Sequence, residues 1–330
     1  MNIAALLPHL DVYGGVRRYI EMGNEFVRRG HVFTIFHSDG SSPKWLPYAG
    51  TTAPISEAKR IPQDVVFCGD SGQLPLLSEV PAKLRIMEIL GPRYAEKYRK
   101  YYRPEFVVIG LQSDWKQYLE GIPGYTIGEG IDTTVFRPVP VEKDVSLFRV
   151  CAFGRTRKAI KGTRFVIKAV KQLKDKSIHL VLFDSQPIPL SWWSTRGVSI
   201  ETVIHPSRTA FNSSKITFAE MYSRCDVFVN AELSAGWSNT TSEAMACGLP
   251  VICTKSGTVD FAFHEKTALV VPMENPDAIA SAIRRLINDH QLRKSLGEAG
   301  RMEIQKHTWT QTINGYLEIF AKNGLRFTQA

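Results

Sequence analysis

Short apolar runs rich in β-branched and aromatic residues alternate with amphipathic helical stretches along the whole chain, and this alternation constrains the fold more than any other feature. It is the pattern of parallel sheets covered by helices, so the class is α/β. In the first half, a strand near residues 2–7 leads through Asp11-Val12-Tyr13-Gly14-Gly15 into a helix with Val16, Tyr19, Ile20, Phe26 and Val27 on one face. Gly30 ends that helix, and residues 31–37 form the next strand. Residues 64–68, 84–89 and 106–111 are further strands. The unit then restarts: a strand at 148–153, a basic loop carrying glycines, and a helix on which Phe165, Val166, Ala169, Val170 and Leu173 repeat at helical spacing. Residues 179–183, 198–203, 227–230, 250–254 and 268–271 continue the strand series. Asn275-Pro276 opens a helix with a capping side chain and a first-turn proline.

A length of 330 residues suits two domains, each able to bury its own core. Arg137-Pro138-Val139-Pro140 and the charged residues after it read as a linker. The expected division is 1–140 for the first domain and 141–310 for the second, with a terminal helix at 311–330 packing back on the first. The start of the chain lacks the basic lead of a secretion signal, and no apolar stretch approaches the ~18 residues that cross a bilayer. Five cysteines, Cys68, Cys151, Cys225, Cys247 and Cys253, lie in apolar segments without C-x-x-C spacing. A reducing cytoplasm is the expected compartment, with a peripheral contact at the inner membrane face left open. The formal charge of +9 suits nucleic acid, an anionic membrane face or a phosphorylated substrate, and does not choose among them.

Three elements suit phosphate. Gly14-Gly15, between the first strand and first helix, lets the backbone approach an anion at a helix amino terminus; a plain tight turn explains the pair equally well. Gly154-Arg155 and Lys161-Gly162 follow the first strand of the second half, at the sheet edge where open α/β folds bind ligands. Arg chelates two phosphate oxygens and Lys offers a mobile point charge, so the pair fits a diphosphate; Arg157 and Lys158 read as solvated neighbours. The third element is the segment from Ala235 to Pro250, which opens a short helix with Ser238, Asn239, Thr240 and Thr241 and stops it at Gly248. A carboxylate one turn in, Glu243, suits the paired hydroxyls of a ribose. Thr240 and Glu243 also have the spacing of a capping box, in which Glu243 would only satisfy a backbone N–H.

With these residues in place, the chain resembles the retaining glycosyltransferases of the GT-B fold, specifically the large family 4. The resemblance extends over nearly the whole length. It rests on Gly14-Gly15-Val16, on Gly128-Glu129-Gly130-Ile131-Asp132 with Phe136 and Pro138, on the cation pair, and above all on Glu243-Ala244-Met245-Ala246-Cys247-Gly248-Leu249-Pro250-Val251. It implies two Rossmann-like domains facing across a cleft. It also implies transfer of a hexosyl unit from a nucleoside-diphosphate sugar to a glycan or lipid-linked acceptor, as in cell-surface polysaccharide or glycoconjugate synthesis. Arg155 and Lys161 would be catalytic, holding the diphosphate and stabilising the leaving group. Gly14, Gly15, Gly154, Ser238, Asn239, Thr240, Thr241 and Glu243 would bind the donor, with Glu243 on the ribose. A front-face route that retains anomeric configuration would need no protein nucleophile, no metal and no cofactor beyond the donor itself.

Two departures bear on the donor sugar. The family carries a second glutamate eight positions before the one matched by Glu243, and this chain has Ala235 there; Glu232 is close but out of register. The histidine that many relatives carry after a strand of the first domain has no counterpart in Phe67-Cys68-Gly69-Asp70 or Met87-Glu88-Ile89-Leu90, where Asp70 and Glu88 are the weak substitutes. On the acceptor side, the run from Arg93 to Arg103 interleaves cations, Arg93 and Arg99 among them, with tyrosines. It suits an anionic lipid headgroup or lipid-linked diphosphate, although charge runs of this kind are usually a solvated helix face. No nucleic-acid module accompanies it. A dinucleotide-dependent oxidoreductase would share the topology but lacks its G-x-G-x-x-G after the first strand. A catalytically weak or inactive relative that binds a sugar or lipid gains support from Ala235.

Overall fold

The alternation folds, in the computed structural model, into two compact units, Met1–Gly130 with His307–Ala330 and Ile131–Lys306. The structure describes residues 1–155, 158–192, 195–204 and 217–325; Arg157 and the last five positions of the 311–330 segment lie outside these. The division falls between Gly130 and Ile131, so the Pro-bearing segment at 137–140 lies inside the second unit.

In the first unit, seven parallel strands run in the order β3-β2-β1-β4-β5-β6-β7. They are β1 (Asn2–Leu6), β2 (Val32–His37), β3 (Thr51–Pro54), β4 (Gln63–Cys68), β5 (Ala82–Ile89), β6 (Val107–Gly110) and β7 (Tyr125–Thr126). Its helices are α1 (Gly14–Arg28), α2 (Leu74–Leu77) and α3 (Ala95–Tyr101). Among its described residues the second unit has six parallel strands in the order β10-β9-β8-β11-β12-β13. They are β8 (Phe148–Phe153), β9 (Ile178–Asp184), β10 (Ser199–Ile204), β11 (Val227–Asn230), β12 (Val251–Cys253) and β13 (Leu269–Val270). The helices here are α4 (Thr163–Leu173), α5 (Phe218–Arg224), α6 (Asn239–Ala246), α7 (Pro276–Asn288) and α8 (His290–Ile304). Both sheets reverse direction of growth at their first strand, the doubly wound arrangement that opens a crevice at the carboxyl ends of the central strands.

The last helix, α9 (Trp309–Lys322), returns to the first unit. It opens on a capping box formed by Thr308 and Gln311. Its Ile313, Tyr316 and Phe320 enter the core beside Phe26, Phe33 and Phe67. Phe320 stacks on Phe26 with centroids 6.0 Å apart, and Tyr316 meets Phe67 edge-on at 5.2 Å. Each such pair adds about 0.5–1.5 kcal/mol beyond burial. This packing is why a helix from the far end of the chain completes the amino-terminal unit.

Two strands differ from the sequence reading by being absent from it. β3 is a polar edge strand ending in proline, and β7 has two residues; neither carries the apolar run that marks a buried strand. Elsewhere the interior strands read as near-continuous apolar runs because helices cover both faces of a parallel sheet. All five cysteines are free and buried. Among the described residues no helix is long and apolar enough to cross a membrane.

Candidate active site

The cation loop of the second unit is built by the register of three strands. Phe153 ends β8 opposite Phe183 of β9, so the next residue on β9, Asp184, lies beside Gly154 and Arg155. The Gly154 amide donates to the Phe183 carbonyl at 2.7 Å, which fixes the exit of the loop. Arg155 then meets Asp184 at two points: Nη2 donates to Oδ1 at 2.7 Å and Nε to Oδ2 at 3.2 Å, with Ser185 Oγ at 3.2 Å from Nη2. This is the bidentate geometry in which a guanidinium is held most firmly.

Lys161 arrives from a short 3₁₀ turn, Ala159–Lys161, that the 160–162 backbone presses against the end of β11. Gly162 sits at φ +67°, and a Cβ there would lie 1.8 Å from the Ala231 carbonyl oxygen. Only glycine supplies both the left-handed backbone and the clearance. The Leu233 amide donates to the Ile160 carbonyl at 2.8 Å and holds the two loops together. Lys161 pairs with Glu232, and its Nζ stands 5.8 Å from the Phe153 ring centre, while Arg155 Cζ stands 5.0 Å from the same ring. Both cations therefore approach one aromatic ring at the carboxyl edge of the sheet.

Glu232 ties this pair to the start of α6. It is buried, and its Oε2 accepts from Ser238 Oγ at 2.8 Å and Asn230 Nδ2 at 3.3 Å. Asn230 Nδ2 also donates to the Ser238 and Thr241 hydroxyls, each at 2.8 Å. Ser238 and Thr241, read from the sequence as donor contacts, thus turn inward and organise the helix mouth. Thr240 is buried as well, and Asn239 is half-buried. The helix starts at Asn239 with Ser238 as its cap residue and no side-chain capping bond, so the capping box of Thr240 and Glu243 is not formed. Glu243 is 1% exposed, and its Oε2 accepts from Tyr222 Oη at 3.1 Å. Tyr222 packs edge-on against Phe183, 5.7 Å between centroids, and Phe183 contacts Phe153 at 5.6 Å. Arg155, Lys161 and Glu243 accordingly stand on one contiguous aromatic support. Gly248 at φ +73° ends α6, its amide bonding to Met245 and that of Leu249 to Ala244.

In the first unit, Gly14 and Gly15 open α1 beyond the carboxyl end of β1. A Cβ at Gly15 would meet only the Tyr13 ring, at 3.4 and 3.6 Å. The other first-unit candidates, Asp70, Glu88, Arg93 and Arg99, taken as weak acceptor-side residues, fare differently. Asp70 caps a turn, its Oδ1 accepting from the amides of Gly72 at 2.9 Å and Gln73 at 3.2 Å. Glu88 is fully buried, bonded to Arg18 Nη2 at 3.0 Å and to Tyr316 Oη, with Glu129 also near Arg18 at 3.8 Å. Expecting Glu88 at a ligand surface is therefore corrected: α9, from the far end of the chain, covers it. Burial, and then the charge of Glu88, push the Tyr19 hydroxyl well above its usual range. Arg93 and Arg99 are exposed, but Tyr98 between them is core, its hydroxyl donating to Gly69 O at 3.2 Å. The cation and tyrosine stripe is thus part core and part solvated face.

The sequence reading missed Asp184 altogether and noted Glu232 only as an out-of-register glutamate, not as the partner of Lys161. A signal for the first was present: an acidic residue closing the strand that neighbours the cation strand, in parallel register.

Residues 148–289 match the family model described as Glycosyl transferases group 1. Among curated proteins, the capsular polysaccharide biosynthesis glycosyltransferase CapM of Staphylococcus aureus is 35% identical over 98 residues, 29% of this chain and 26% of CapM. The chain thus spans about a quarter of that relative's length. Among solved structures, sucrose-phosphate synthase from Thermosynechococcus elongatus superposes with a TM-score of 0.78 at 18% identity, over 97% of this chain and 98% of that one. HepE from Anabaena in complex with UDP-glucose gives 0.73 at 14%, over 97% and 99%. At such identities the likeness concerns the fold, and the fold is GT-B: two Rossmann-like α/β domains. The sequence match goes further for the second unit, where the stretch that matches the group 1 model contains Arg155, Lys161 and Glu243.

Proposed function

We propose that the chain is a retaining, metal-independent hexosyltransferase that moves a sugar from a nucleoside-diphosphate donor to a glycan or lipid-linked acceptor in cell-surface polysaccharide or glycoconjugate synthesis. The observation that carries this reading is the approach of Arg155 and Lys161 to one ring, Phe153, at the carboxyl edge of the sheet, within the stretch that matches the group 1 model. Two fixed cations there match the charge that builds on a departing diphosphate, which is how a rigid site lowers a barrier without reorganising. They supply the charge that a divalent ion would otherwise supply. Glu243, oriented by Tyr222, is assigned to the donor ribose. The Gly14-Gly15 turn supports a further donor contact, since protein packing does not itself demand the missing side chain at Gly15. With no acidic nucleophile at Ala235, the leaving phosphate is assigned as acceptor of the incoming hydroxyl's proton. The HepE complex with UDP-glucose supports a nucleotide sugar as the donor class.

A second reading, a sugar- or lipid-binding relative with little turnover, is favoured by Ala235 and by the carboxylate partner that each cation already has. One assay separates them. The native protein is incubated with a panel of UDP-, GDP- and ADP-sugars in excess chelator, and nucleotide release is followed with and without glycan and lipid-phosphate acceptors. The transferase reading expects release from one donor that rises with an acceptor, and a product of unchanged anomeric configuration. Binding without release from any donor would favour the second reading.

A further inference from the structure

The Lys161 partner was not expected from any motif. Glu232 stands three positions before Ala235, on the loop that leaves β11, and reaches Lys161 because Gly162 lets the 3₁₀ turn close on Ala231. Its other oxygen is engaged by Ser238 and Asn230, so the carboxylate is itself fixed, and its backbone amide accepts no freedom either, donating to Asn230 Oδ1 at 3.0 Å. The Thr254 hydroxyl donates to the Glu232 carbonyl at 2.5 Å. A side chain held this firmly transmits its position to whatever it grips.

We infer that Glu232 is a positioning residue and an internal counter-charge for Lys161: it fixes the ammonium near the Phe153 ring that Arg155 also approaches and weakens ground-state binding of the diphosphate. The inference rests on the proposed transferase reading and deepens it. Arg155, Lys161, Asp184 and Glu232 carry two positive and two negative formal charges, so the four cancel while no donor is bound. An incoming diphosphate is attracted by each cation and repelled by the carboxylate behind it. Fixing Lys161 in this way favours the transition state, in which charge on the leaving oxygen is greatest, over the bound ground state, which is the condition for a faster step rather than a tighter complex. A lysine has a flexible stem, and an ammonium without a fixed partner would sample many rotamers.

The two parts of the claim are separated by two substitutions. Glu232→Gln keeps an acceptor for Ser238 and removes the charge; Glu232→Asp keeps the charge and shortens the reach. Calorimetric titration of UDP, with ADP and GDP alongside, measures binding. Hydrolysis of the sugar nucleotide that the native chain turns over fastest measures the step, and melting without ligand reports folding. Glu232→Gln is expected to bind the nucleoside diphosphate at least threefold more tightly and to turn over the donor at least tenfold more slowly. Glu232→Asp is expected to bind within twofold of native and to lose at least fivefold in turnover. A purely structural role would lower melting, binding and turnover together. Native-like or weaker binding by a well-folded Glu232→Gln overturns the inference, as does native turnover in either variant; if Glu232→Gln does not fold, the Asp variant decides. If the native protein binds none of the three nucleotides, the transferase reading itself is lost and this inference with it.

Discussion

Asp184 grips Arg155 through both carboxylate oxygens, at 2.7 and 3.2 Å, from the end of the neighbouring strand. Because the two residues leave adjacent strands in register, the guanidinium plane is set by the sheet and not by the loop. Asp184→Asn removes the charge and one acceptor while the side-chain volume stays the same. It is expected to lower donor turnover about tenfold, roughly 1.4 kcal/mol of barrier, with little change in melting temperature. Steady-state rates with circular-dichroism melts check this, and unchanged turnover would show that Arg155 needs no such support.

Gly162 is the tightest backbone approach near the site. Gly162→Ala places a methyl against the Ala231 carbonyl at φ +67°, so the turn must shift. The expected destabilisation is about 1–3 kcal/mol, together with loss of the Lys161 pairing and hence of turnover. Urea unfolding measures the first part. A variant as stable as native would mean that the turn relaxes without strain.

The buried pair of Arg18 and Glu88 makes a different prediction, about folding alone. Both side chains are essentially inaccessible, joined at 3.0 Å, and Tyr316 completes the cluster from α9. Removing Glu88 leaves the buried Arg18 with only the more distant Glu129, at 3.8 Å, as a counter-charge. Glu88→Ala should therefore cost about 3–5 kcal/mol in urea unfolding. A loss below about 1 kcal/mol would show that water or another group replaces the carboxylate.

These cases mark what could be read in the residue string and what could not. The alternation of β runs and amphipathic helices specified two parallel α/β units, because strands covered on both faces must be apolar throughout. Arg155 and Lys161 stood out because glycines flank them directly after a strand. Their carboxylates did not. Asp184 is twenty-nine residues from Arg155 along the chain and Glu232 seventy-one from Lys161, separations set by strand order and visible only once the sheet is built. Glu88 was assigned to a ligand surface because it lies in a region where relatives carry a histidine after a strand of the first domain. Its true environment depends on Tyr316, which no local pattern connects to it. Likewise the Thr240 and Glu243 spacing was ambiguous, and the helix start at Asn239 settles it against a capping box.

A pH-dependent prediction comes from the contact between α1 and α9. Glu25 is partly buried, which raises its carboxyl pKa, but hydrogen bonds from Arg28 and Arg29 outweigh this and hold it below the ordinary range. Arg29 in turn donates to Thr310 O at 2.8 Å and Asn314 Oδ1 at 2.7 Å. A carboxyl depressed in the folded state adds stability that is present above its unfolded value, about 4.3, and is lost as pH falls through the folded value. Glu25→Gln is thus expected to be less stable than native at pH 7, with the difference closing below about pH 4. An equal difference at pH 3 and pH 7 would contradict the assignment.

Central to the proposed function is a nucleoside diphosphate held by the paired cations of the second unit. Isothermal titration of UDP, ADP and GDP into the native protein, Arg155→Ala and Lys161→Ala, all in excess chelator, tests it directly. At least one nucleotide is expected to bind the native protein without metal, and each substitution to weaken its binding at least tenfold, about 1.4 kcal/mol. Undiminished binding by both variants would contradict it.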